Sequence, residues 1–309
     1  MSEREFDMKS FDEIRQRLLA QPVKKKIAVV MANHEHTIEA LHQTVSEGLV
    51  APVLIGDEMA IRDLLARYPM PEDIVTIIHG PDAVQAAQMA ADMVRHGEAD
   101  CIMKGGIETG PLMRVLVNRE RGIRRRDTMS LLAFMQSPYY HKVFAITDVG
   151  LLTYPTLEQK AMAIENALEA LRALGVEEPK VAVLAAVEKV NPKMPEAVEA
   201  AQLKEMAENG RFGRCIVEGP ISYDLAMDPD AAALKGYVSP VAGDPDLLVV
   251  PDIVSGNVLA KSLTCTGGAK TCGTVLGAMA PLILTSRSAT ADDKYMSILL
   301  GALIGGQQV

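Results

Sequence analysis

Short apolar runs rich in Val, Ile and Leu alternate along this chain with longer stretches in which apolar residues recur every three or four positions. The first run is 27–31, directly after three lysines, and a helical pattern follows it through Leu41 and Val45. The pairing repeats as a strand at 52–55, a helix at 59–68, a strand at 74–78, a helix at 83–96 and a strand at 99–103. A second series starts near Lys142, with a strand at 143–147 that ends in Asp148-Val149-Gly150. Over 157–174, Ala161, Ile164, Leu168 and Leu171 line one face of a helix that Gly175 stops. Seven apolar residues at 181–187 read as a fully buried strand, and further elements fall at 197–208, 215–218, 247–251 and 292–304. Strands and helices in alternation with short polar joints predict an α/β fold, with mainly parallel sheets flanked by helices.

Composition sharpens this picture. A chain of 309 residues suits two domains better than one core, and only 4% of it is aromatic, so its cores must be built from Ala, Val, Leu, Ile and Met. No linker rich in Pro, Gly or Ser divides the halves. The expected division is residues 1–142 plus 288–309 against 143–287, with the chain crossing twice and an interdomain cleft as a natural ligand site. A net charge of −9 argues against nucleic acid and acidic membranes as partners, and no apolar run approaches membrane-spanning length. With a charged, unsignal-like start the expectation is a cytoplasmic protein. Cys101, Cys215, Cys265 and Cys272 contain no Cys-x-x-Cys pair and have no His at ligand spacing, so buried thiols are expected rather than a zinc site or disulfides.

Positive charge is concentrated at Arg119, Arg121, Arg124, Arg125 and Arg126, either a solvated surface or a site for the phosphates of a nucleotide-like cofactor. Cys265-Thr266-Gly267-Gly268-Ala269-Lys270-Thr271 invites comparison with a phosphate-binding P-loop, but Thr264 and Ala269 stand where that motif needs glycine. Its glycines read instead as a loop before a helix at 273–279. His34-Glu35-His36 places two histidines two apart, which a helix separates, so a loop or helix start without metal is expected. In 281–294 an apolar strand leads to Ser286 and Arg287, and a loop leads to Asp293 at a helix start; Thr290-x-x-Asp293 is also a capping box.

Several stretches together resemble one family. They are Lys104-Gly105-Gly106-Ile107-Glu108-Thr109, Thr147-Asp148, Lys160 with Asn166-Ala167, Val187-Glu188-Lys189-Val190-Asn191-Pro192, Gly219-Pro220 with Asp224, Pro251-Asp252, Gly256-Asn257 with Lys261, and Thr285-Ser286-Arg287. In this order they are similar to the phosphate acetyl/butyryltransferases, more so to the butyryl branch. The resemblance implies a two-domain fold like that of the isocitrate and isopropylmalate dehydrogenases, without nicotinamide. It also implies reversible transfer of a short acyl group, butyryl or acetyl, from acyl-CoA to inorganic phosphate, giving acyl phosphate and coenzyme A. Coenzyme A is then substrate and product, with no tightly bound cofactor and no metal, and a homodimer or higher homo-oligomer is implied.

On that reading Arg287 holds phosphate, because a guanidinium grips two oxygens where lysine is a point charge. Ser286 donates to the thiol sulfur or the developing oxyanion, and Asp293 is the base for the thiol. Lys104, Gly105, Thr109 and Arg114 on one loop and helix start, and Gly256, Asn257 and Lys261 on another, are expected to contact phosphate or coenzyme A. The nearest rival is acyl transfer from acyl carrier protein to phosphate, with the arginine cluster as docking face. A dehydrogenase on the same fold lacks a clear set of metal-binding carboxylates, and a non-catalytic homologue that binds coenzyme A is the non-enzyme alternative.

Overall fold

The computed structural model describes residues 8–285 and 289–305, and its contacts divide the chain into two compact units. One comprises residues 11–129 and 272–309 and the other 1–10 and 130–271. The sequence reading instead places the crossings at 142/143 and 287/288. The observed boundary falls before Ser130 because the strand that begins there pairs with the next strand of its own unit.

In the first unit helix α1 (Asp12–Leu19) precedes β1 (Lys25–Val30), α2 (Glu35–Ser46), β2 (Val50–Gly56), α3 (Glu58–Arg67), β3 (Thr76–His79), α4 (Ala83–Arg95), β4 (Cys101–Lys104) and α5 (Thr109–Leu116). The second unit contributes β5 (Ser130–Gln136), β6 (Phe144–Thr147), α6 (Leu157–Ala173), β7 (Lys180–Leu184), α7 (Pro195–Glu208), β8 (Ile216–Ile221), α8 (Tyr223–Met227), α9 (Pro229–Leu234), β9 (Leu247–Val249) and α10 (Ile253–Cys265). Strand β10 (Lys270–Leu276) leads back to the first unit, which β11 (Leu282–Ile283) and α11 (Ala291–Ile304) complete.

The first unit orders its strands β3-β2-β1-β4-β11-β10, parallel from β3 through β11, with β10 antiparallel to β11 through Val275 and Leu282. After β1 the chain moves outward to β2 and β3, then returns to lay β4 on the other side of β1. The carboxyl ends of β1 and β4 therefore flank a reversal of strand order, where α/β sheets open a crevice for ligands. The second unit orders its strands β5-β6-β9-β7-β8, with only the β5–β6 pair antiparallel.

Burial explains why these segments hold their form. In β1, Ile27, Ala28, Val29 and Val30 are fully buried, as a parallel strand covered on both faces requires. Helix α11 is apolar nearly all round, and Ile298, Leu299, Leu300, Ala302 and Ile304 are fully buried. Each buried Leu or Ile there contributes about 1.5–3 kcal/mol of transfer free energy. Polar ties fix its approach: the Tyr295 hydroxyl donates to Glu47 Oε2 at 2.8 Å, and Arg15 Nε donates to the same oxygen at 2.5 Å.

The structure corrects the expected helix at 273–279. Residues 273–276 of that segment belong to β10, and β-branched Thr274 and Val275 are buried in a strand that Thr274 Oγ1 ties to Leu282 O at 3.1 Å. Gly273 weakens a helix there, and pairing with β11 decides the matter. Strand β5 and helix α1 are additions to the expected pattern. Two cysteines also depart from expectation: Cys101 and Cys272 are buried, whereas Cys215 is half-buried and Cys265 is exposed at the end of α10. Among the described residues no helix is long and apolar enough to cross a membrane.

Candidate active site

Lys104 is the last residue of β4, so the parallel sheet delivers it to the strand-order reversal. Its Nζ donates to Gly105 O at 3.4 Å. Gly105 and Gly106 then pass directly against the chain leaving β1: Gly105 N–H donates to Val30 O at 2.9 Å and Gly106 N–H to Met31 O at 2.7 Å. A Cβ at position 105 would stand 2.3 Å from Met31 O, a backbone atom that cannot withdraw, so only glycine fits. Met31 turns the chain with φ 56°, and His34 follows as N-cap of α2. Thr109 opens α5 and Arg114 lies further along it, both exposed.

Asp293 is the third residue of α11. Its Oδ2 accepts from the Thr290 N–H at 3.0 Å, and its own N–H donates to Thr290 Oγ1 at 3.1 Å, so the capping box is formed. The first turn of α11 is also tied to β10, because Ser297 Oγ donates to Asp293 O at 2.7 Å and accepts from Gly273 N–H at 3.2 Å. Burial first, then the field of Asp293, pushes the Cys272 thiol up, which makes it inert as a nucleophile. Ser286 and Arg287 lie outside the described residues.

The sequence singled out His34 only as one of a pair of histidines and Lys294 not at all, yet both feel the field of Lys104. Lys294 is buried, and its Nζ donates to Ala289 O at 3.2 Å. Its pKa is lowered by burial and then by Lys104, with Asp293 acting in the opposite sense. His34 is lowered by burial, then by the positive fields of Lys294, His36 and Lys104, which keeps the imidazole neutral near pH 7.

Gly256, Asn257 and Lys261 lie in the other unit, on α10. Gly256 packs where a Cβ would meet Asp148 O at 2.6 Å, and Asn257 Nδ2 donates to Val149 O at 3.1 Å. Both therefore brace the loop after β6, while Lys261 is exposed. Asp148 is the hub of that loop: its carboxylate accepts from the N–H groups of Leu131, Gly150 and Leu151 at 2.7, 2.8 and 2.7 Å. Glu188 accepts from Ser222 Oγ at 2.7 Å and from Lys235 Nζ at 3.4 Å, and Asp224 accepts from the same lysine at 2.9 Å. The Ser222 hydrogen bond and Lys235 hold the Asp224 carboxyl down at about 2. Lys235 is thus the partner of two motif carboxylates, although its own surroundings in sequence carry no signal.

The backbone of the arginine cluster is tied into its own unit, and so is the Arg124 side chain. Arg124 Nε donates to Arg126 O at 3.1 Å and the side chain pairs with Asp127, while Arg125 and Arg126 N–H groups both donate to Gly277 O. Arg95 and Gln88 of α4 hold the carbonyls of Glu120 and Arg121 at 3.0 and 2.9 Å.

A family model described as Phosphate acetyl/butaryl transferase matches residues 71–302. Over 289 residues the chain is 40% identical to the phosphate acetyltransferase of Thermotoga maritima, covering 92% of this chain and 97% of that protein. It is 36% identical over 301 residues to the phosphate butyryltransferase of Clostridium acetobutylicum, covering 97% of this chain and 100% of that one. Among solved structures, a branched-chain phosphotransacylase from Enterococcus faecalis V583 shares the fold with a TM-score of 0.80 at 30% identity, over 91% of this chain and 98% of the other. With relatives matched from end to end and the fold shared, the chain belongs to the phosphate acetyl/butaryl transferase family.

Proposed function

We propose that the chain transfers a short acyl group reversibly between coenzyme A and inorganic phosphate. The observation that carries this reading is the full-length similarity to a phosphate butyryltransferase and a phosphate acetyltransferase. The position of the Lys104-Gly105-Gly106 turn at the strand-order reversal of one unit supports it. In the direction of acyl-CoA synthesis the thiol of coenzyme A gives up its proton and its sulfur attacks the acyl phosphate carbonyl. The carbon–oxygen bond to phosphate then breaks and inorganic phosphate leaves. Moving a proton from a thiol near pKa 8.5 to an aspartate near 3.9 costs about 6 kcal/mol in water. A cation beside the sulfur narrows that gap by favouring the thiolate.

Asp293 is proposed as the base, Arg287 as the bidentate phosphate ligand and Ser286 as the donor to the developing oxyanion. Coenzyme A enters as substrate and leaves as product, and Thr109, Arg114 and Lys261 are proposed contacts for its phosphates. A cytoplasmic, homo-oligomeric enzyme goes with this reading. Helix α10 supports the oligomer: of its residues only Gly256 is buried, and Val254 and Val258 are more than half exposed at 56% and 60%. The test is to follow free thiol while acetyl-CoA through octanoyl-CoA are offered with phosphate. Phosphate-dependent thiol release, strongest among short chains, is expected; no release with any of them overturns the assignment.

A further inference from the structure

Asp293 is the third residue of α11, in the turn where helix ends fray, so its carboxylate goes wherever that turn goes. The capping box ties the side chain to Thr290, which belongs to the same helix end. That box holds Asp293 on its helix but does not tie the turn to the sheet. Ser297 does. Its Oγ lies 2.7 Å from Asp293 O and 3.2 Å from the Gly273 nitrogen in β10, and all three residues belong to one compact unit. A carbonyl can only accept and an N–H can only donate, so the hydroxyl donates to the first and accepts from the second. A serine bonded only to the carbonyl four residues back is an ordinary helix feature that bends the helix slightly. Here the same oxygen also reaches a second element, and Ser297 is 3% exposed, so water does not compete for it.

We propose that Ser297 is a positioning residue for Asp293: by bonding that residue's own carbonyl to β10 it fixes where the carboxylate meets the thiol proton. This rests on the acyl-transfer reading with Asp293 as the base. Proton transfer needs the two heavy atoms within about 2.6–3.2 Å, so a turn that drifts by a few tenths of an ångström already spoils it. The rest of α11 has other holds. The Tyr295 hydroxyl is bonded to Glu47, and Ile298, Leu299 and Leu300 are fully buried, so losing the Ser297 hydroxyl loosens the first turn and leaves the helix in place.

The test measures kcat, KM for butyryl-CoA and KM for phosphate in wild type, Ser297→Ala, Asp293→Asn, the double variant and Thr274→Val. Alanine is a better helix former than serine, so Ser297→Ala folds, which its thermal melt checks. Thr274→Val is the control, because that fully buried hydroxyl bonds Leu282 O of β11 rather than α11. Since a misplacement of about 1 Å costs about 100-fold, Ser297→Ala is expected to lower kcat about tenfold, with both KM values within about twofold of wild type. Thr274→Val is expected to melt lower yet keep kcat within about twofold. In Asp293→Asn, itself down about 100-fold, adding Ser297→Ala is expected to change kcat by less than about twofold, because no base is left to position. Equal losses from Ser297→Ala in both backgrounds would overturn the proposal. So would a wild-type kcat in Ser297→Ala while Asp293→Asn keeps its loss, and that outcome leaves the base assignment intact. A wild-type kcat in Asp293→Asn removes the base and the positioning role with it. Amide hydrogen exchange at Gly273 reads the bridge without substrate and is expected to quicken about tenfold in Ser297→Ala; unchanged protection there overturns the bridge. Quickened exchange in that variant, with a wild type that releases no thiol, would remove the acyl-transfer reading and leave the tie between α11 and β10 standing.

Discussion

Asp293 serves two masters, a helix terminus and a proposed proton transfer, and substitution separates them. Asparagine at 293 retains an oxygen to accept from the Thr290 N–H but cannot take a proton at neutral pH. Asp293→Asn is therefore expected to keep its thermal midpoint while kcat falls about 100-fold or more, the usual worth of a general base. Thr290→Ala removes the other half of the box, and is expected to cost about 1 kcal/mol of stability while kcat stays within threefold. A kcat within threefold of wild type for Asp293→Asn would leave that carboxylate as a cap only. Gly105 makes a backbone argument of the same kind. In Gly105→Ala the new methyl meets Met31 O and Val30 O, at 2.3 and 2.8 Å, and must push β1 from β4. A loss of roughly 1–3 kcal/mol in urea unfolding is expected, together with a higher KM for phosphate because Lys104 moves with the strand end.

At the scale of elements, α10 and α11 are both apolar helices of similar length, and their surroundings differ sharply. α11 is enclosed by α1, α2 and the strands of its unit, whereas α10 keeps a single buried residue. Leu299→Ala in α11 opens a void among fully buried neighbours and is expected to cost about 2–5 kcal/mol in chemical unfolding. Val258→Glu in α10 leaves no void. Sedimentation is expected to show a smaller assembly for that variant with little change in the far-ultraviolet circular dichroism, and an unchanged sedimentation coefficient would remove α10 as an interface.

Among the described residues the most deeply buried ion pair belongs to the unit formed by residues 1–10 and 130–271. Lys142 Nζ lies 2.6 Å from Asp246 and 2.7 Å from Asp244, and its side chain is 1% exposed. Asp246 also accepts from the Lys180 N–H at 2.7 Å and donates its own N–H to Lys180 O at 2.8 Å, which pins the amino ends of β7 and β9 together. Burial alone would raise the Asp244 carboxyl, but hydrogen bonds from Lys142 and Lys180 win and hold it well below the usual carboxylate range. A depressed folded pKa means the contribution is full above about pH 4, the unfolded value, and is lost as pH falls below it. Lys142→Met, which strands a buried carboxylate, is expected to cost about 3–5 kcal/mol at pH 7. The gap from wild type is expected to narrow at pH 3, and a gap independent of pH would contradict the assignment.

Local order is legible along the chain because its causes are local. The apolar run at β1, the helical spacing of Ala161, Ile164, Leu168 and Leu171, and the Thr290-x-x-Asp293 box each lie within a turn or two of the backbone they shape. The family motifs were equally readable, because they are strings of adjacent residues. Where a short segment had no strong period, neighbours in space decided: Ser130–Gln136 and Lys270–Leu276 are strands because partners with the right edge lie alongside them. The same holds for chemistry. Sequence by itself determined the alternating α/β architecture, the family and a strand that ends directly before Lys104. Only the tertiary structure decided that Lys294 and His34 share its field, that Lys235 answers Glu188 and Asp224, and that α10 stays open. Electrostatic coupling depends on distance through space, and strand order sets that distance between residues that are hundreds of positions apart along the chain.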